Sequence, residues 1–278
     1  MTSATTWPKV FTTAVALLVL VTGVAAAQGR AAPSAPELKT VLYDAANALG
    51  MLRGLRQEDS ITTTEYWATG TMNAGSQAYK LATYHVSINF SFPGMRVDLA
   101  RTGPNGQPQR QIEVVSGKFA WNETQPGMNA TPALEAASER LVQFWTTPMG
   151  VVKAATAAGA GTKVTVEGGV TVLTFPLPAP LAGITMKATL NAQYQIARVE
   201  TRLNNVLTET TYSDYGDWND ADYKADVMMP RHIVQKRGGA TVLDLTITRS
   251  STYNPYVVMP VPENVEKAAA QAPRSPSR

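Results

Sequence analysis

The chemistry open to this chain is narrow, because it holds two histidines and no cysteine. His85 and His232 are the side chains suited to proton transfer near neutral pH, and each falls in a run that reads as a strand. His85 sits on the polar side of its run, where a solvated ring fits better than a ligand. Two histidines cannot build a three-His zinc site, and they lack the helical pairing of a metalloprotease. Without cysteine there is no disulfide, thiolate metal site, thiol nucleophile or lipid-bearing N-terminal cysteine. The chain has no Gly-x-Ser-x-Gly elbow and no phosphate-binding glycine loop. Glu200 and Glu209 supply carboxylates, but nothing in their spacing brings them together. These absences predict a non-enzymatic protein with no catalytic residue, no bound metal and no cofactor; an enzyme of unfamiliar type is the alternative.

The stretch Asp214-Tyr-Gly-Asp217-Trp-Asn219-Asp220-Ala-Asp222 places carboxylates at positions that resemble a calcium loop. An EF-hand needs Gly at its sixth position and a bidentate Glu at its twelfth. Counting from Asp217 these are Asp222 and Met228; counting from Asp220 they are Ala225 and Arg231. An acidic, Tyr- and Trp-bearing connection between strands is the better reading. Arg231, His232, Lys236 and Arg237 form the densest basic site and read as a solvated strand face. With 24 Lys and Arg against 21 Asp and Glu, the chain has no electrostatic hold on nucleic acid.

The elements that position these residues begin after an export signal. Lys9 is the lone charge before Arg30, an apolar run extends over residues 10–24, and Ala25-Ala26-Ala27 offers a cleavage site. Cleavage is expected after Ala27, sending the chain to a periplasm or out of the cell. The apolar run falls short of the ~20 residues that span a bilayer, so no stable membrane anchor is expected. Residues 28–36 read as a flexible lead-in, 37–266 as one domain, and 267–278 as a disordered tail.

Within the domain, Leu38, Val41, Leu42, Ala45, Ala48 and Leu49 recur at helical spacing, with Gly50 as the stop. The period then becomes two. In residues 81–92, Ala82, Tyr84, Val86, Ile88, Phe90 and Phe92 alternate with polar side chains, and residues 66–71, 95–101, 110–115 and 118–121 read as neighbouring strands. Helix returns over residues 133–158, with a stripe of Leu134, Ala137, Leu141, Phe144 and Trp145 and a break at Pro148. Strands resume to the end, with glycine pairs at 168–169 and 238–239 as turns. The order predicts a mainly β (α+β) protein of about ten strands. They form one large curved antiparallel sheet or half-open barrel, with about three helices packed on its concave face. A two-sheet sandwich is the alternative.

Two sets of residues carry a resemblance. Thr210–Tyr215, Pro230–Lys236 and Val242–Thr248, with Val114–Asn122 and Glu139–Gly150, resemble a region of secreted bacterial proteins that precedes a metallo-β-lactamase-fold hydrolase domain. The His and Asp cluster of that hydrolase is missing from this sequence, so its activity does not transfer. The helix and strand order is also similar to that of periplasmic lipoprotein carriers, whose half-open barrel shelters acyl chains. This likeness implies a lipid or other apolar small molecule inside the sheet. Tyr84, Val86, Ile88 and Phe90 on one strand, with Trp121, Leu141, Phe144 and Trp145 opposite, are the candidate lining residues. The alternative is an accessory module for a protein partner such as a separate hydrolase, using Tyr212, Tyr215 and Trp218 as exposed aromatics.

Overall fold

A computed structural model describes residues 36–218 and 226–272. The export signal, most of the lead-in, the end of the acidic stretch with Asp220 and Asp222, and residues 273–278 lie outside the described residues. Helix α1 (Leu38–Ala48) precedes a small hairpin of β1 (Leu52–Arg53) and β2 (Glu58–Asp59). Six strands follow, β3 (Thr63–Ala74), β4 (Gln77–Asn89), β5 (Gly94–Thr102), β6 (Pro108–Ser116), β7 (Phe119–Glu123) and β8 (Thr131–Pro132). A 3-10 turn at Leu134–Ala136 leads to α2 (Ala137–Thr146) and α3 (Pro148–Ala158). The chain then forms β9 (Lys163–Glu167), β10 (Val170–Pro176), β11 (Thr185–Leu190), β12 (Ile196–Leu203) and β13 (Val206–Asp217). It ends with β14 (Met228–Arg237), β15 (Ala240–Thr252) and α4 (Glu263–Gln271).

The protein is mainly β. Strands β3 to β15 make one open antiparallel sheet of 13, in the order β8-β7-β6-β5-β4-β3-β15-β14-β13-β12-β11-β10-β9. Each neighbour is also a neighbour in sequence except β3 and β15. Two meanders are therefore joined along one seam, and the chain passes from one edge, β8, to the other, β9, through α2 and α3. Among the described residues there are more strands than the period-two runs suggest, because β1, β2 and β8 are too short to show a period.

Alternation divides the sheet into two faces. On one, Tyr66, Tyr84, Val86, Ile88, Val97, Phe175, Val199 and Leu245 pack with Val41 and Ala45 of α1, Leu141 and Phe144 of α2, and Val151 and Val152 of α3. Val115 belongs to this core, so Val114 points to the other side. There a smaller cluster joins Ile112, Val114 and Trp121 to Val257, Met259 and Val265 of the C-terminal segment. Helix α4 thus covers the outer face near β7 and β8, and it occupies part of the stretch read as a disordered tail. Its signal is weak: Val265 is its one fully buried apolar residue, while Glu263 and Glu266 favour its N-terminal turn.

Two glycines fix close approaches. Gly70, at φ +154° in the β3 bulge, leaves room for Asp244 O, which would stand 2.0 Å from an added Cβ. Gly150 lets α3 start beneath α2, since a Cβ there would meet Phe144 O and Thr147 Oγ1 at 2.7 Å. Pro148 opens α3 at its first turn, where a missing N–H costs nothing.

Candidate functional site

Helix α2 does not fill the whole space it covers. Between it and the sheet lies a cleft of about 450 Å³, near the β3–β4, β12–β13 and β14–β15 turns. Its apolar wall comes from Tyr84, Val97, Leu99, Val142 and Leu243. Glu139, Val142, Gln143 and Thr146 face it from α2, a three- and four-residue spacing that makes one stripe. Opposite them, Gln111, Glu113, Thr208 and Gln235 occupy sheet positions whose register points inward. Polar side chains at core-facing positions explain the gap, since burying them tightly would strand their hydrogen-bonding groups. Arg237 Nη1 reaches Glu139 Oε1 at 2.6 Å, linking the end of β14 to α2.

Beside the cleft, and sharing Tyr84, Gln143, Thr146, Gln235 and Leu243 with it, is a void of about 20 Å³ that Tyr66 and Tyr212 also line. Gln143 Nε2 donates to Tyr84 Oη at 2.9 Å, and Tyr212 Oη donates to the Thr146 carbonyl. Burial pushes all three hydroxyls well above the ordinary tyrosine range. At the edge of the cleft, Arg140 of α2 ties the helix to the sheet. Its Nη1 donates to Val114 O at 3.0 Å and Trp121 O at 2.7 Å, and its Nη2 to Asn122 Oδ1 at 2.6 Å. Burial pulls this guanidinium down, against the opposing pull of Glu113, Glu135 and Glu139.

Of the eight residues predicted to line a ligand site, Tyr84 alone borders the cleft or the void. Val86, Ile88, Leu141, Phe144 and Trp145 are packed core. Phe90 lies past the end of β4 and packs at a tilt against Phe144, with ring centroids 5.4 Å apart. Trp121 does not face α2 from within, because its place opposite Val114 puts it on the outer face. Its Nε1 donates to Glu123 Oε1 at 2.8 Å. The cleft is faced instead by the α2 stripe beside Leu141, Phe144 and Trp145, namely Glu139, Val142, Gln143 and Thr146. The sequence signal was the break in inward alternation at Gln111, Glu113 and Gln235.

The residues chosen for chemistry are also placed differently from expectation. His85 lies on the outer face, but it is not merely solvated. Its ring stacks on Trp67 at 4.2 Å, Arg249 lies over Trp67 at 4.6 Å, and His85 Nε2 contacts Glu65 Oε1 at 3.1 Å. Ser87 Oγ donates to the same Glu65 oxygen at 3.0 Å and lies 3.3 Å from the same His85 nitrogen. A Ser–His–acid relay needs the acid and the serine on opposite ring nitrogens. Here both meet Nε2, so the trio is a closed hydrogen-bond ring. Asn254 Nδ2 also donates to Glu65 Oε2 at 2.6 Å. These contacts, His85 foremost, hold the Glu65 carboxyl down to about 2 against the opposing effect of burial.

Glu200 and Glu209 are brought together after all, as cross-strand partners on β12 and β13, where both accept from Arg198 Nη2. Tyr212 is buried and Tyr215 is half-buried with its hydroxyl on Ile196 O at 2.7 Å, so neither is an exposed contact residue. Trp218 is half-buried beneath Arg231, with Nε1 donating to Met229 O. In the basic site, His232 contacts Asp244 at 2.8 Å and Arg237 is taken by Glu139. Among the described residues, no group of three or more His, Asp or Glu side chains could hold a metal ion. No helix among them is long and apolar enough to cross a membrane.

No protein-family model matches the chain, and no curated protein matches it either.

Proposed function

We propose that this protein is an exported, non-enzymatic binder or carrier of an apolar or amphipathic small molecule, such as a lipid or other acyl compound. The cleft between α2 and the sheet carries this reading. Its volume of about 450 Å³ falls in the ~300–1,000 Å³ range of small-molecule sites. An apolar wall with a few convergent polar groups suits a chain-like guest with one oriented end. In this reading the sheet and its helices act as the half-open shelter implied by the likeness to lipoprotein carriers, and the apolar N-terminal run directs export.

The test is native mass spectrometry of the exported protein, together with fluorescence of the neutral dye Nile red. A co-purified apolar compound or dye uptake is expected, with uptake lost in Val142→Trp, which fills the cleft. A protein that is empty and leaves the dye dark overturns the reading.

A second reading, an accessory module that docks on a separate hydrolase or other partner, is favoured by one observation. Phe92 and Tyr256 are 77% and 87% exposed. The segments that bear them are tied together through Asn89, which accepts from Phe92 N and donates to Val257 O. Loss of partner binding in Phe92→Ser with Tyr256→Ser, while dye uptake stays intact, would favour it over the carrier reading.

A further inference from the structure

The void that shares Tyr84, Gln143, Thr146, Gln235 and Leu243 with the cleft has a volume of about 20 Å³, enough for a water-sized group. A count of hydrogen-bonding groups indicates which kind. Tyr212 spends its proton on Thr146 O. Tyr84 Oη accepts from Gln143 Nε2, which leaves its own proton to give. Tyr66 is 6% exposed, and its hydroxyl has no hydrogen-bond partner among the described residues. Tyr66 and Tyr84 lie on adjacent strands of the same face, one diagonal step apart in the β3–β4 register. Tyr66 and Tyr84, which line the void, thus offer undirected O–H donors, as does Thr210, whose Oγ1 accepts from Gln235 Nε2; an acceptor placed there would complete them.

Charge narrows the choice further. Among the described residues, no cation borders the void. Arg101 and Arg237 line the outer cleft, where Arg237 is engaged by Glu139 and Arg101 by Gln109. The charge felt at Tyr84 is the Glu113 carboxylate, which adds to the effect of burial on that hydroxyl. An anionic oxygen in the void would be stripped of water with no counter-charge and with a carboxylate nearby.

We propose that the void receives an uncharged acceptor oxygen of the ligand, held by the Tyr66 and Tyr84 hydroxyls, so the guest is a neutral carbonyl compound that enters carbonyl first. Esters, amides and ketones of an alkyl chain fit this site, and a free fatty-acid anion does not. The inference rests on the cleft being a ligand site.

The test is displacement of Nile red from the full chain by methyl decanoate, decanoate and decane at neutral pH. Methyl decanoate should bind more tightly than decanoate. Tyr66→Phe removes no hydrogen bond to a described residue, so its thermal melt should match that of the parent. The variant should lose about five- to tenfold in affinity for the ester, the worth of one hydrogen bond, and less than about twofold for decane. Binding of all three with no ester-specific loss in Tyr66→Phe, or tighter binding of decanoate, overturns the carbonyl site and leaves the cleft reading standing. Binding of none overturns the cleft reading itself. Tyr84→Phe repeats the measurement from the second donor, and an ester loss in neither variant likewise refutes the assignment.

Discussion

Replacing Glu65 by glutamine removes the carboxylate most strongly perturbed by its surroundings. The Glu65 side chain is 10% exposed and accepts from Ser87 and Asn254 while contacting His85. These contacts hold it down to about 2, against an ordinary value of 4.5. Because the folded carboxylate binds its proton more weakly than the unfolded one, its stabilisation is complete above about pH 4.5 and is lost as pH falls toward about 2. At about 1.4 kcal/mol per tenfold in proton affinity, the whole effect is about 3.5 kcal/mol, and residual solvent screening trims it to about 2–3. Urea unfolding followed by tryptophan fluorescence, with Trp67 stacked beside the site, measures this at about pH 5 and about pH 2. The parent should lose about 2–3 kcal/mol more than Glu65→Gln across that interval, since every other carboxylate titrates in both. Equal losses in the two proteins would refute the assignment of the acid-sensitive group.

Arg140→Met should destabilise by about 3 kcal/mol in the same assay, because it leaves the Val114 and Trp121 carbonyls and the Asn122 side chain without their donor. Gly70→Ala should cost about 2–3 kcal/mol or block folding, as its Cβ would stand 2.0 Å from Asp244 O; a neutral melt would contradict the bulge geometry. Tyr212→Phe should cost about 1 kcal/mol by thermal unfolding through loss of its bond to Thr146 O.

What could be read from the residues divides along physical lines. Period-two runs such as residues 95–101 and 110–115 became β5 and β6 nearly as written, because a half-buried strand records its environment at every second position. The helix stripe of Leu141, Phe144 and Trp145 was legible for the same reason, and all three are core. Its spacing fits a ligand lining as well as a core, because large apolar side chains suit a fully packed interior and a guest-filled one equally. The cleft opens along the adjacent stripe, Glu139, Val142, Gln143 and Thr146, where smaller and polar groups leave space. The face that Trp121 occupies is not legible from spacing, because a face is set by register, which only strand pairing fixes. The ring around Glu65 draws on β3, β4 and the segment after β15, and no local spacing records such a meeting.

The seam between β3 and β15 sets Thr64 against Thr252, residues near opposite ends of the folded chain. To either side, the sheet is built of hairpins that can form without waiting for distant partners. Among the strand pairings of the large sheet, one is therefore long-range, the mating of two half-sheets, with α2 and α3 as the tether between them. The cleft straddles this line, for Met72 and Leu243 are paired across it and both border the cavity. A guest lodged there would grip both halves at once. It would act as a rivet, and loading the protein and locking its two halves together would be the same event.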